Sequence, residues 1–272
     1  MAQKTNNISN TLNYRLSVQI SLNGLSFLVS NQDTQKTILF AEKNFDYSIT
    51  PEELLIEVEN IISENNIFNF SFNDISIVYA TPVYTLVPLA LFDETKASEY
   101  LKFNSKILAN DYMAHDVLDT HDIVVVYVPF MNINNYFFEK FGTFNYYHAT
   151  TVMLKTILSH EKYALPKMFL HIQNNNFDSV ILKDGKLELC NSYSYKTPED
   201  FIYYTLFAIE QLNLNPDTLP VHLFGEVEKD DSIYKIAYNY IRHIEILDAS
   251  KYNLPTIENT ISHKHFILKN TI

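Results

Sequence analysis

A chain of 272 residues, 47% hydrophobic and 19% charged, has the makeup of a globular protein with room for one large domain or two ordinary ones, which excludes the disordered and fibrous classes. A net charge of −12 without a cluster of Lys and Arg argues against nucleic acid and anionic membrane surfaces as partners. The longest apolar runs, around 82–92 and 123–131, fall short of the ~20 residues needed to span a bilayer.

Residues 1–13 are polar and mixed, with no apolar h-region, so no secretory signal is expected there. Residues 16–22 read as a strand, Asn23-Gly24 as a tight turn and 25–30 as the returning strand, followed by a third strand at 36–43. Thr50-Pro51-Glu52-Glu53 is a helix start on which four signals agree. Thr50 caps the free N–H groups, and Pro51 sits where its missing N–H is harmless. Glu53 closes a capping box, and both glutamates favour the positive helix end. Leu54, Leu55, Val58, Ile61 and Ile62 then share one face at helical spacing.

The segment from about 67 to 122 reads as inserted material, with a strand at 75–79, the apolar stretch Thr85-Leu86-Val87-Pro88 and a helix near 93–103. The β-branched run 123–128 is typical of a strand buried on both faces. A helix at 132–141, a short strand at 145–148 and a helix at 151–160 follow, with a hinge expected near Pro166.

The second half opens as the first does. Strands are expected at 168–173, 177–183 and 186–191, with Asp184-Gly185 as the second hairpin turn. Thr197-Pro198-Glu199-Asp200 then repeats the helix start at an offset of 147 residues (197 less 50). The apolar face carries over as Phe201, Ile202, Thr205, Ala208 and Ile209. Duplication explains this better than two unrelated capped helices, because three strands precede the helix in both halves. Strand, helix and strand at 221–224, 231–240 and 244–247 follow, and the first half is expected to match them with 123–128, 132–141 and 145–148. Residues 249–272 form a tail that can pack back across both halves.

Three antiparallel strands, a helix, then alternating strands and helices is the order of a ribonuclease H-like lobe. Two tandem lobes, the first with an insertion, give an α/β protein on the plan of the actin-like ATPase fold, with mixed sheets and helices packed on them. The division expected is 1–165 and 166–272. The chain resembles a family of uncharacterised bacterial proteins, domain of unknown function 3822, to which an actin-like fold is assigned. The opening Leu16-Ser17-Val18-Gln19-Ile20-Ser21-Leu22-Asn23-Gly24-Leu25-Ser26-Phe27 and the internal Tyr84-Thr85-Leu86-Val87-Pro88 carry that resemblance. It implies no activity.

Active actin-like ATPases carry an Asp-x-Gly near the first hairpin, a second such hairpin and a glycine pair after a late strand, because backbone N–H groups in tight loops hold the phosphates. This sequence departs at every motif. The first hairpin offers Gln19, Ser21, Asn23 and Gly24, the second Gln173, Asn174, Asn175 and Asn176, and the late strand ends on Gly225-Glu226. The chain has only four glycines, each with a turn, cap or strand end to serve. Ribonuclease H chemistry needs strand carboxylates for two metals. The central strands offer none, and Asp122 and Asp178 read as solvated strand-end residues. Acid pairs such as Glu52-Glu53 sit at helix starts, where they compensate the dipole. His263-Lys264-His265 would place two imidazoles on one face of a surface strand, without a nearby third ligand. Cys190 is the only cysteine and reads as an apolar filler, which leaves no disulfide or zinc-cysteine set, and the cytoplasm is the expected location.

The leading expectation is therefore a non-catalytic binding or scaffolding protein with no cofactor and no metal, whose partner is another protein. The remnant cleft positions are Asn23, Gly24, Gln173, Asn174, Asn175 and Gly225, and the apolar stretch 86–92 is either core or a docking surface. The alternative is a nucleotide-responsive assembly protein with a degenerate site for ATP and magnesium at 174–176.

Overall fold

A computed structural model describes residues 13–271 apart from 104, 109, 161–164, 253 and 259. Nearly all of the polar stretch 1–13 and part of the region expected to hold a hinge lie outside the described residues.

The chain opens with an antiparallel meander, β1 (Tyr14–Ser21), β2 (Gly24–Asn31) and β3 (Lys36–Asn44), and continues into helix α1 (Pro51–Glu64). Thr50 Oγ1 accepts the Glu53 N–H at 3.2 Å and Glu53 Oε2 accepts the Thr50 N–H at 2.8 Å, the reciprocal box expected of this sequence. Leu54, Val58, Ile61 and Ile62 are buried, while Leu55 is only half-buried at the edge of the face. Then come β4 (Phe72–Tyr79), β5 (Tyr84–Pro88), α2 (Ala97–Lys102), β6 (Ala114–Leu118) and β7 (Ile123–Tyr127). Helix α3 (Met131–Phe141), β8 (Asn145–His148) and helix α4 (Ala149–His160) complete the first half.

The second half runs β9 (Lys167–Ile172), β10 (Asn176–Lys183), β11 (Lys186–Ser194), α5 (Pro198–Gln211), β12 (Pro220–Gly225), α6 (Ser232–Tyr240) and β13 (His243–Ile246). Thr197 and Asp200 repeat the capping box, with Asp200 N–H to Thr197 Oγ1 at 3.2 Å and Thr197 N–H to Asp200 Oδ2 at 3.0 Å. All five positions mapped from α1 are buried, and the polar substitution is accommodated because Thr205 Oγ1 donates to the Phe201 carbonyl at 2.8 Å. At the 184–185 turn both residues have positive φ, 52° and 71°, as a primed hairpin turn demands.

Two five-stranded sheets share one plan. Their orders are β3-β2-β1-β4-β8 and β11-β10-β9-β12-β13, in each case two antiparallel pairings followed by two parallel ones. These are the two lobes of the mixed α/β fold that the sequence implied.

The sheets correct one expectation. The counterpart of β12 is β4, which pairs parallel to β1 and lies inside the 67–122 span read as inserted. The run at 123–128, matched to β12 in the sequence, is instead the centre of a separate three-stranded sheet ordered β5-β7-β6. It is buried on both faces as expected. Val124 and Val126 pack into a small core with Val87 and Leu101, whereas Val125 and Tyr127 join the main core, which runs from the first lobe into the second at Phe169 and Phe224. A β-branched run reports burial on two faces and carries no information about which sheet supplies them.

After β13 the chain returns across both lobes. Helix α7 (Phe266–Lys269) is buried throughout. Phe266 packs edge-on against Phe224 of the second lobe at 4.8 Å. Arg15 of the first lobe donates to the Thr271 carbonyl at 2.7 Å and pairs with Asp74 at 2.7 Å.

Candidate functional site

Between the lobes lies a cleft of about 880 Å³. The β1–β2 hairpin lines one wall and the β9–β10 hairpin the other, as the shared plan of the two sheets dictates. Asn23, Gly24, Gln173, Asn174, Asn175 and Gly225 all face this one space.

Four of the backbone donors around it are committed to other groups. The Asn23 N–H goes to Ser21 Oγ (3.2 Å), and the Gln173 N–H to the Asn176 carbonyl (2.9 Å). At the end of β12 the Gly225 N–H donates to the His263 carbonyl (3.2 Å) and the Glu226 N–H to the Ile172 carbonyl (2.9 Å). The segment after β13 thus takes up the Gly225 amide. Gly225, at φ +89°, has its glycine for packing, since a β-carbon there would meet the β9 backbone.

The floor is a buried polar network. His148 accepts the Thr150 N–H on Nδ1 (3.2 Å), so its proton is on Nε2, which donates to the Thr81 carbonyl (3.0 Å). Complete burial pushes this imidazole down to about 4. Asp116 accepts from the His148 N–H (2.8 Å), Thr151 Oγ1 (2.6 Å) and the Tyr127 hydroxyl (3.1 Å), and burial holds its carboxyl above the usual range despite these donors. Every polar atom of this His and Asp named here has a structural partner, so neither is free for proton transfer at neutral pH.

On the second lobe's wall the structure overturns the reading of Asp178 as a solvated strand end. Asp178 is buried within β10, and its Oδ2 accepts from His171 Nδ1 and Gln173 Nε2, both at 3.1 Å. The pair follows from hairpin register, in which Asp178 stands opposite His171. With the turn placed at 173–175, that register is the signal that finds it. Cys190, on the adjacent β11, also faces the cleft, close to the Tyr84 hydroxyl. Burial pushes its thiol far up, with the nearby Asp178 charge adding to the effect.

The two histidines at 263 and 265 do not share a face. Residues 262–265 form a turn, and alternate spacing aligns side chains only on a strand. His263 is buried with Nε2 2.7 Å from the Val227 carbonyl. His265 turns into the cleft in a left-handed conformation (φ 55°), and burial pushes it down to about 4, helped by Lys264 and Lys269. There it meets Glu42 and Glu226, partners that the sequence did not suggest. The donor atoms of all three lie within 4.8 Å of one another. Asp122 is a turn residue at φ 57°, ahead of β7.

Residues 3–244 match a family described as protein of unknown function (DUF3822). No curated protein matches the chain. Among solved structures, a Bacteroides thetaiotaomicron protein described as having an actin-like ATPase fold and unknown function is similar at a TM-score of 0.78 and 22% identity, covering 90% of this chain and 94% of that one. A chain of a PilM–PilN type IV pilus biogenesis complex is similar at a TM-score of 0.56 and 11% identity, covering 86% of this chain and 88% of that one. At these identities the likeness shows the fold alone. Among the described residues no helix is long and apolar enough to cross a membrane.

Proposed function

Because this chain belongs to the DUF3822 family and carries an actin-like ATPase fold, we propose that it acts as a non-catalytic binding or scaffolding module whose partner is another protein. The observation that carries this reading is the commitment of the Gly225 and Glu226 N–H groups to the His263 and Ile172 carbonyls, at the place where a nucleotide-binding relative presents amides to phosphate. The strands flanking the cleft add support. Gln19 and Ser21 occupy β1 where a metal-positioning Asp is needed, and Gln173 to Asn176 occupy the second hairpin. We further propose a cytoplasmic location and a lobe division at about residues 165 and 166.

The experiment is a melting curve with and without millimolar ATP and magnesium, alongside a phosphate-release assay. No change in Tm and no phosphate release is the expected result. A saturable rise of several degrees would overturn it in favour of a nucleotide-responsive assembly protein, a reading that the size of the cleft favours.

A further inference from the structure

Three side chains from distant parts of the chain meet at the edge of the cleft. Glu42 comes from β3 of the first lobe, Glu226 follows β12 of the second, and His265 precedes α7. The imidazole is more than nine-tenths buried, with 7% of its side chain exposed. Its Nδ1 stands 3.7 Å from Glu42 Oε1, too far for a hydrogen bond, and its Nε2 has no hydrogen-bond partner among the described residues. We infer that Glu42, Glu226 and His265 form a binding site for one divalent transition ion of the zinc class, which ties both lobes to the segment after β13.

Charge balance supports this. Two carboxylates face Lys264, which bonds Glu226 at 2.9 Å, while Lys269 also bears on His265. A doubly charged ion would offset the two neighbouring carboxylate charges.

The donor set decides the metal. One nitrogen and two carboxylates suit zinc, whereas magnesium and calcium favour oxygen alone. At metal–ligand distances of ~2.1 Å the ligands of a tetrahedral ion lie ~3.4 Å apart, so the cluster needs to contract by up to ~1.4 Å. The Glu42 and Glu226 side chains, 25% and 40% exposed, have room to do so. Lys264 would release Glu226 as the ion enters. This site is independent of the proposed scaffolding role, and either reading can fail without the other.

The test is titration of the full chain with zinc chloride against a chromophoric chelator, with magnesium chloride in parallel. The expected result is one zinc per chain, with at least tenfold weaker binding in Glu42→Gln and in His265→Asn. Lys264→Met should bind several-fold more tightly, because Glu226 is freed. If His265→Asn does not fold, Glu42→Gln and Glu226→Gln carry the comparison. The inference is overturned by zinc affinity unchanged in the Glu42 variant, by magnesium binding as tightly as zinc, or by weaker binding in Lys264→Met.

Discussion

A β-carbon on Gly225 would lie 2.3 Å from the carbonyl oxygen of Ile172, because Gly225 stands directly opposite Ile172 where β12 runs beside β9. Backbone meets backbone there, and no side chain can move aside. Positive φ at Gly225 adds strain for any other residue. Gly225→Ala is therefore expected to destabilise the protein by at least about 2 kcal/mol. Urea unfolding checks this, and a midpoint equal to that of the parent would show that the strands can part without loss.

The two capping boxes make a matched pair of experiments. Thr50→Ala and Thr197→Ala each remove one cap oxygen with the same 3.2 Å bond, and each should lower stability by about 1 kcal/mol. The two sites lie in different lobes, so the double variant should show the sum within about 0.5 kcal/mol. A much smaller effect at one site would mean that helix is held by packing alone.

His148 predicts a pH dependence. Its folded value of about 4 lies below the ordinary 6.5, so the unfolded chain takes up this proton first as pH falls. Its contribution is fully present above pH 6.5 and is lost progressively towards pH 4. The span corresponds to about 3 kcal/mol. Asp116 works the other way, because its raised carboxyl keeps a proton that the unfolded chain has released. Denaturant midpoints at pH 7, 5.5 and 4.5 should fall in that order, and His148→Gln should remove the share due to His148. An unchanged slope in the variant would assign the loss to other groups.

Cys190 lines the cleft yet should resist alkylation. Its thiol is pushed up by burial, so very little thiolate exists at pH 8. Iodoacetamide should label the native protein about a hundredfold more slowly than the unfolded chain. Comparable rates would show an accessible thiolate.

What the sequence disclosed was local. Thr50-Pro51-Glu52-Glu53 and its repeat specify their helices within four residues, and Asp184-Gly185 specifies its turn within two, so these were legible without knowledge of the rest. Sheet membership was not. Phe72–Tyr79 and Ile123–Tyr127 are both strands rich in buried residues, and only pairing with β1 distinguishes them. At the cleft, Asp178 looked like a strand end because its partner His171 is reached through hairpin register. Glu42, Glu226 and His265 come from three separate stretches, and nothing local to any one of them announces the other two.

The contacts of Thr271 have a consequence for the order of events during synthesis. Its carbonyl accepts from Arg15, and its hydroxyl meets Ser17, 254 positions earlier. The meander containing Arg15 and Ser17 can assemble on the ribosome from its own hairpins. The face of β1 that receives Thr271 stays open until nearly the whole described chain has emerged. Translation at ~5–20 residues per second leaves it uncovered for roughly ten seconds or more. The buried Ser17 and its cross-strand neighbour Leu28, which packs with Ile257 and Leu268, are then the surface most in need of protection in the nascent protein.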